Sequence, residues 1–223
     1  MLLTAFGVVL TLYGFIEVAE EMGEGGMQHF DEWLLRRLRR EGDPAMPIGP
    51  SWLAQMVTDI TALGGPAVLV IVILFAIGYL ALERRYGAAA LVIVASAGGG
   101  LLSVGLKQVF ARDRPDIVPH LVAVDSLSFP SGHAMAAAVI YLTLGALLAR
   151  FTARRRMRVY VIGVSLVLTF LVGTTRLYLG VHYPSDVLAG WSGGLAWALF
   201  CWLVARYLQY RGTVETPGSH GAR

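Results

Sequence analysis

The sequence predicts an all-α protein that crosses a membrane six times, and its composition, its apolar runs and its loop charges support this fold class. Hydrophobic residues make up 56% of the 223 residues, and charged residues only 15%. A soluble domain usually has about 25% charged residues. The mean hydropathy of the chain is +0.63. A water-soluble fold of this size would leave much apolar surface uncovered, so the composition favours a membrane protein.

Six segments are long and apolar enough to be membrane spans, each of which needs about 20 mostly apolar residues. They are residues 1–18, 62–82, 86–109, 132–150, 158–174 and 184–208. The first has no basic residue before its apolar run and no good cleavage site after it, so we interpret it as a retained anchor and not as a signal peptide. The predicted membrane domain covers residues 1–208, and the polar tail 209–223 is expected to be disordered.

The longest polar connection, residues 19–61, has the pattern of a short amphipathic helix. Its apolar residues recur at helical spacings of three and four: Phe30, Trp33, Leu34 and Leu38. Arginines lie between and beyond them: Arg36, Arg37, Arg39 and Arg40. We predict a helix at about residues 28–40 that rests on the membrane surface. Its role is left open between a solvated connector, which we favour, and a lid or lipid-entry element.

Glycines in two of the spans indicate close helix packing. Residues 98–100 are all glycine, and Gly190 and Gly194 have a small-xxx-small spacing. Such residues allow helix backbones to approach each other closely in lipid.

Loop charges predict the orientation, because cytoplasmic loops carry an excess of basic residues. The 83–85 and 150–158 turns and the C-terminal end are rich in arginine and share one side of a six-span topology. That side is predicted to be cytoplasmic, with both termini inside. The basic residues on the opposite side contradict the rule unless they have a function, and they include Lys107, Arg112, Arg114 and Arg176.

The overall charge does not point to nucleic acid. The net charge is +3 and the isoelectric point is about 9.2. Basic loops that face anionic lipid account for both values. We therefore expect the lipid bilayer as a partner and no nucleic acid.

Three short stretches hold nearly all of the unexpected polar residues, and the first runs from Lys107 to Pro115. Lys107 and Arg114 are seven residues apart, which places them on one face of a helix. Pro115 disfavours helix at the residue before it. Two cations are therefore predicted to project from the end of the third span. Alternatively, they only anchor the span at the membrane interface.

The second stretch, Pro130-Ser131-Gly132-His133, opens the fourth span. Ser131 is a good N-cap residue, and Gly132 allows a ligand to approach the backbone closely. The free amides of a helix start favour a phosphate, and His133 lies beside them. The alternative is an ordinary capped helix with an interfacial histidine.

The third stretch runs from Thr175 to Asp186, and Pro184 suits the first position of the last span. Asp186 then falls in the first turn, near His182. A carboxylate beside an imidazole selects its tautomer and stabilises the cation formed during attack. Arg176 adds a planar guanidinium suited to phosphate oxygens. The alternative is a helix cap with an ion pair.

Each stretch has an ordinary structural interpretation when it is taken alone. Together they place two histidines, three cations and a carboxylate at span ends on one side of the membrane. This combination predicts an anion-binding functional site at six residues: Lys107, Arg114, His133, Arg176, His182 and Asp186.

Together the three stretches resemble the signature of the type 2 phosphatidic acid phosphatase family. That signature is a lysine six residues before Arg-Pro, then Pro-Ser-Gly-His, then Ser-Arg, five residues, His, three residues and Asp. The sequence matches it at Lys107, Arg114-Pro115, Pro130 to His133, Arg176, His182 and Asp186. Thr175 stands where the family usually has serine, and it keeps the hydroxyl. The resemblance covers about residues 60–208 and is greatest to small bacterial members acting on phosphatidylglycerophosphate, phosphatidate or undecaprenyl pyrophosphate.

The resemblance implies a metal-independent lipid phosphate phosphatase of the bacterial inner membrane, with a phosphohistidine intermediate and an active site facing the periplasm or the outside. The implied catalytic residues are His182 as nucleophile, His133 as proton donor to the leaving group and Asp186 as the partner of His182. The implied phosphate-binding residues are Lys107, Arg114, Ser131, Gly132 and Arg176. No cofactor and no metal are expected, because the sequence holds no carboxylate cluster suited to magnesium.

Other functions use the same residues and are left open. A phosphotransferase would pass the phosphoryl group to a lipid or sugar acceptor instead of water. Vanadate-dependent haloperoxidases share the motif, but they are soluble, and six spans argue against them. A lipid or ion transporter is less favoured, because the charges lie at span ends and not at mid-depth. The physiological substrate and the oligomeric state are not readable from the sequence.

Overall fold

The computed structural model describes residues 1–211, and this part of the chain is almost entirely helical. Its helices are α1 (Leu2–Glu24), α2 (Gln28–Arg37), α3 (Ser51–Thr61), α4 (Pro66–Leu82), α5 (Tyr86–Phe110), α6 (Gly132–Phe151), α7 (Arg155–Tyr178) and α8 (Pro184–Tyr210). Two short strands, β1 (Arg39–Arg40) and β2 (Asp43–Pro47), form an antiparallel hairpin. The predicted all-α fold class is confirmed.

Five of these helices are each long and apolar enough to cross a membrane, namely α1, α5, α6, α7 and α8. Helices α3 and α4 together make a sixth candidate, which is bent by 46° at the break between them. Pro66 begins α4 and has no backbone N–H, so the helix hydrogen bonding of α3 does not continue through it. The protein is a multi-pass membrane protein with five or six spans.

The 19–61 connection is more structured than its sequence indicates. Helix α1 extends through it to Glu24, and the predicted amphipathic helix ends at Arg37 instead of continuing to residue 40. Arg39 is drawn into the protein, where its guanidinium donates to the backbone oxygen of Tyr178 at 2.9 Å. This long-range contact replaces the helical conformation that the local pattern favours. Helix α3 and the hairpin were not predicted.

Helix α6 is the most buried span, and α8 packs directly on its first half. A Cβ added at Gly194 would lie 2.7 Å from the Met135 oxygen, and one at Gly190 would lie 2.8 Å from the Ser131 oxygen. The packing role predicted for these two glycines is therefore confirmed. Their lack of a side chain brings the start of α8 against the start of α6, which is where Asp186 and His133 lie.

The predicted boundary at residue 208 falls within α8, which continues to Tyr210. The helix forms there because the apolar pattern of the span carries on through Tyr207 and Leu208. Residues 212–223 of the predicted tail lie outside the described residues.

Candidate active site

Three helix ends, the segment 111–131 and the turn between α7 and α8 meet at one end of the bundle and line a cavity of about 120 Å³. The cavity is lined by Lys107, Arg114, Val124, Asp125, Ser126, Gly132, His133, Arg176 and His182. Every predicted site residue except Ser131 and Asp186 is in this lining. Residues separated by up to 75 positions in the chain therefore converge on a single cavity.

His182 lies between α7 and α8 and is only 1% exposed. Its Nδ1 lies 3.3 Å from Asp186 Oδ2, and its Nε2 lies 3.3 Å from Arg114 Nη1. A guanidinium cannot accept a hydrogen bond, so Nε2 must offer its lone pair and Nδ1 carries the proton. Nε2 is therefore the unprotonated nitrogen of this imidazole.

Burial also keeps the His182 ring neutral. It lowers the pKa of His182 to about 4, although the hydrogen bond and the charge of Asp186 oppose this shift. Near pH 7 the imidazole is therefore neutral, and Nε2 carries a lone pair instead of a proton.

Asp186 is fully buried in the first turn of α8. Its Oδ2 accepts hydrogen bonds from the Tyr183 N–H at 2.8 Å and from Ser128 Oγ at 2.5 Å. The same oxygen faces His182. The carboxylate thus caps α8 and also contacts the imidazole.

Arg176 is anchored by α3, an element that the sequence did not predict. Its Nη1 donates to Thr61 Oγ1 at 3.0 Å, and the side chain is 3% exposed. Thr61 ends α3, directly before the bend that leads into α4. The bent α3–α4 pair therefore positions one of the cavity cations.

Arg114 reaches the cavity by a different route from the one predicted. Helix α5 ends at Phe110, and Ala111 adopts a left-handed conformation with φ of 44°. Arg114 thus lies in the 111–131 segment, and the argument that it shares a helix face with Lys107 was wrong. Its Nη2 donates to Ser126 Oγ at 3.0 Å and its Nη1 to the Val181 oxygen at 2.6 Å. Lys107 Nζ donates to the Leu127 oxygen of the same segment.

Ser131 occupies the N-cap position of α6, but its hydroxyl makes no capping hydrogen bond, contrary to the prediction. Instead, its backbone N–H donates to the backbone carbonyl oxygen of Asp186 at 2.9 Å, and this bond joins the start of α6 to α8. Within residues 1–211, neither Ser131 Oγ nor Arg176 Nε has a hydrogen-bond partner, although both are buried. Buried polar groups are usually paired, so both are available to a ligand with oxygen acceptors.

Thr175 does not reach this ligand site. Its hydroxyl donates to the Val172 oxygen within α7 at 2.5 Å. Thr175 is buried and is not part of the cavity lining. The presence of threonine instead of serine therefore leaves the cavity unchanged.

Sequence reasoning missed several residues that support the site. Arg112 donates to Asp186 Oδ1 at 2.7 Å and to Asp31 Oδ2 at 2.8 Å. Its signal was present, because Arg112 is one of the basic residues that contradict the charge rule. Asp31 and Ser128 gave no such signal, since each is an unremarkable polar residue in its own segment.

The fold and the site define an integral membrane enzyme of phosphate chemistry, with a neutral, carboxylate-paired histidine beside three cations. The model of the PAP2 superfamily matches residues 87–210, more than half of the chain. The chain belongs to the PAP2 superfamily, and it is a phosphatase. The matched region contains all the predicted site residues, whereas Asp31 and Thr61 precede it.

Individual relatives agree with this assignment. Phosphatidylglycerophosphatase B of Bacillus subtilis is 37% identical over 154 residues, which cover 68% of this chain and 74% of that protein. Decaprenylphosphoryl-5-phosphoribose phosphatase of Mycobacterium tuberculosis is 35% identical over 124 residues, which cover 53% and 62% of the two chains. The crystal structure of the transmembrane PAP2-type phosphatidylglycerolphosphate phosphatase of Bacillus subtilis superposes with a TM-score of 0.80 at 28% identity. It covers 92% of this chain and 97% of that chain.

Gly132 allows a direct test of the cavity. A Cβ added there would lie 3.7 Å from Lys107 Cε and from Ser103 Oγ, which is ordinary van der Waals contact. We expect Gly132→Ala to fold normally but to raise KM about tenfold, or about 1.4 kcal/mol of binding free energy, because the methyl group narrows the cavity. Steady-state kinetics and thermal unfolding in detergent measure both effects.

Gly100→Ala is the matched control, since a Cβ there meets nothing within 4 Å. An unchanged KM in Gly132→Ala would contradict the prediction that a phosphate binds beside Gly132.

Proposed function

We propose that this protein hydrolyses a phosphomonoester or pyrophosphate on a membrane lipid, through a phosphohistidine formed on His182. The observation that carries the proposal is the geometry of this residue. Its Nδ1 faces Asp186, and its Nε2 faces a cavity that also contains Arg114 and two further cations. An imidazole held in this way is suited to nucleophilic attack on an anionic phosphorus centre.

Phosphate binding is assigned to the cations and free donors of the cavity. Lys107, Arg114 and Arg176 neutralise the phosphate oxygens, which otherwise repel a nucleophile. Ser131 Oγ and the first amides of α6, at Gly132 and His133, complete the cradle. The donors without protein partners, Ser131 Oγ and Arg176 Nε, support this assignment.

The reaction has two steps, and the same phosphoryl group is transferred in each. In the first, His182 Nε2 attacks in line, the bond from phosphorus to the lipid oxygen breaks, and His133 gives that oxygen a proton. In the second, His133 takes a proton from water, the water oxygen attacks phosphorus, and the bond to Nε2 breaks. Asp186 stabilises the positive charge that His182 carries between the steps. The bound phosphate favours the protonated form of His133, so the two histidines hold opposite protonation states.

A lipid substrate is supported by the position of the cavity at the ends of the spans. The head group of a membrane lipid lies at that depth, so it can enter while its chains stay in the bilayer. The name of the Bacillus subtilis relative supports phosphatidylglycerophosphate as the first substrate to test. The arginine-rich turns support a bacterial cytoplasmic membrane location with both termini inside and the cavity facing outward.

The proposed chemistry is metal-free. Within residues 1–211, no group of three or more histidine, cysteine or acidic side chains is arranged to hold a metal ion. The charges that face the phosphate are instead mostly guanidinium and ammonium groups, which perform the neutralising role that a metal ion has in other phosphatases.

A phosphate-release panel in detergent tests the proposed function. It compares phosphatidylglycerophosphate, phosphatidate, undecaprenyl pyrophosphate and lipid A, each with and without EDTA. We expect release of inorganic phosphate from at least one of them, with an unchanged rate in EDTA. Activity lost in EDTA and restored by magnesium would contradict the metal-free mechanism.

Mass spectrometry that finds phosphorylated lipid or sugar acceptors without free phosphate would establish a phosphotransferase. Movement of labelled lipid without phosphate release would indicate a transporter.

A further inference from the structure

Two buried carboxylates and a partly buried arginine connect the amphipathic helix α2 to the catalytic end of α8. Asp31 of α2 and Asp186 of α8 are both 0% exposed. Arg112, which follows α5, lies between them. Its Nη2 donates to Asp31 Oδ2 at 2.8 Å and its Nη1 to Asp186 Oδ1 at 2.7 Å. A single guanidinium therefore joins two carboxylates from opposite ends of the chain.

This bridge fixes the orientation of the Asp186 carboxylate. Arg112 occupies Oδ1, and Oδ2 is thereby turned toward His182. The guanidinium is itself held, because it lies over the Tyr183 ring at 4.3 Å and also donates to Ser185 Oγ at 2.7 Å. Each of the two carboxylates thus accepts one charge-assisted hydrogen bond from Arg112, and such bonds are stronger than those between neutral groups.

Asp31 also accepts two hydrogen bonds from Ser185, in the first turn of α8. Its Oδ1 accepts the Ser185 N–H at 2.9 Å, and its Oδ2 accepts Ser185 Oγ at 2.5 Å. Asp31 therefore lies on the face of α2 that is turned toward α8. Its neighbour Glu32 is paired with Arg36 on the solvent-facing side instead.

The charges of the three groups bear on the reaction. Arg112 with Asp186 alone would form a neutral pair, and the carboxylate would do little to stabilise a cation on His182. A second carboxylate, Asp31, leaves the group with one net negative charge. That charge lies behind the imidazole, where it offsets the positive charge that develops during attack.

We propose that Asp31 and Arg112 are positioning residues for the phosphatase reaction, which hold Asp186 against His182 and keep a net negative charge behind it. This inference rests on the proposed function of His182. It gives α2 a part in the active site, in place of the connector or lid roles considered from its sequence. Asp31 lies before the residues that match the PAP2 superfamily, so the family motif does not include it.

A purely structural role for the same contacts predicts different kinetics. If the bridge only attached α2 to the bundle, variants would lower stability and the amount of active enzyme. Neither Asp31 nor Arg112 lines the cavity, so a positioning role predicts a lower kcat with little change in KM. It also predicts a change in the pH at which His182 loses activity by protonation.

The direction of the pH change differs between the two residues. His182 faces Asp186, Arg114 and Arg176 and shares the cavity with Lys107, His133 and Asp125. Arg112→Gln removes the cation that offsets Asp186, so the pKa of His182 should rise by about one unit. Asp31→Asn leaves Arg112 to neutralise Asp186 alone, so the pKa of His182 should fall. The acid limb of kcat/KM should therefore move to higher pH in the first variant and to lower pH in the second.

The test compares Asp31→Asn, Arg112→Gln, the double variant and wild type, with Glu32→Gln as the control on the same helix. Each single variant should lose about 10- to 100-fold in kcat, as expected for a hydrogen bond to a charged group. The double variant should lose less than the product of the two single losses, because the pair is coupled. Glu32→Gln should match wild type.

The outcomes separate this inference from the function on which it rests. The positioning role is supported if the acid limb of kcat/KM moves in opposite directions in Asp31→Asn and Arg112→Gln while KM stays unchanged. This holds even if the variants are less stable in detergent. If wild type is active and the acid limb of the pH profile of kcat/KM stays at the same pH in both variants, the positioning role alone is overturned. A wild-type enzyme that forms no phosphoenzyme overturns the proposed function and this inference together.

Discussion

His182→Ala is expected to abolish phosphate release, by at least about 10⁵-fold in kcat, because it removes the atom proposed to bond to phosphorus. Folding should be retained, since Asp186 keeps its hydrogen bonds to Ser128 and to the Tyr183 N–H. The decisive measurement is a phosphoenzyme trap with ³²P-labelled lipid, quenched in alkali, where phosphohistidine survives. Wild type should be labelled and His182→Ala should not.

A histidine outside the cavity provides the control for this experiment. His29 is exposed on α2, and His29→Ala should retain both label and activity. Full activity in His182→Ala would exclude His182 as the nucleophile. Label retained in that variant but lost in His133→Ala would assign the nucleophile to the other histidine.

Asp186→Asn is expected to lower kcat by about 10⁴-fold while KM changes little, the loss seen when a triad carboxylate is converted to an amide in a serine protease. The amide nitrogen can donate to Nδ1, which would favour the tautomer that protonates Nε2 and blocks attack. The loss of charge also removes the stabilisation of the His182 cation. The Tyr183 N–H is bonded to the same oxygen, Oδ2, that faces Nδ1, so an amide nitrogen at that position also removes one hydrogen bond from the cap of α8.

Asp59→Asn is a matched control, because Asp59 is an exposed carboxylate on α3 that is bonded only to Gln55 in the described structure. It should leave kcat, KM and the unfolding temperature unchanged. Histidine ¹⁵N spectra would report the tautomer of His182 directly in both variants. A loss of less than tenfold in Asp186→Asn, with an unchanged tautomer, would contradict the role given to this carboxylate.

The positions of the spans were readable from the sequence because each depends on the composition of its own segment. The predicted span 86–109 is α5, Tyr86–Phe110, and the predicted span 132–150 is α6, Gly132–Phe151. In lipid, the backbone must satisfy its hydrogen bonds within the segment, so an apolar run of this length is a helix. The segment 62–82 agreed less well, since Pro66 and the preceding turn interrupt it.

The polar connections were less predictable because long-range contacts decide their conformation. Arg39 leaves the pattern of the amphipathic helix to reach the backbone of Tyr178, 139 residues further along the chain. Arg114 lies off the end of α5 and is held by the Ser126 and Val181 segments. No local periodicity contains information about partners at such separations.

By itself, the sequence determined the multi-span class, from hydropathy, and the residue types of the site, from three short stretches and their resemblance to a family. Only the tertiary structure decided how His182 is oriented, that Ser131 Oγ and Arg176 Nε are buried without a hydrogen-bond partner in residues 1–211, and that Asp31 of α2 contacts Arg112 and Ser185. The physical reason is that a buried charge must find a partner in space and not along the chain. Asp31 finds Ser185 at a separation of 154 residues and Arg112 at 81, and no motif spacing records either contact.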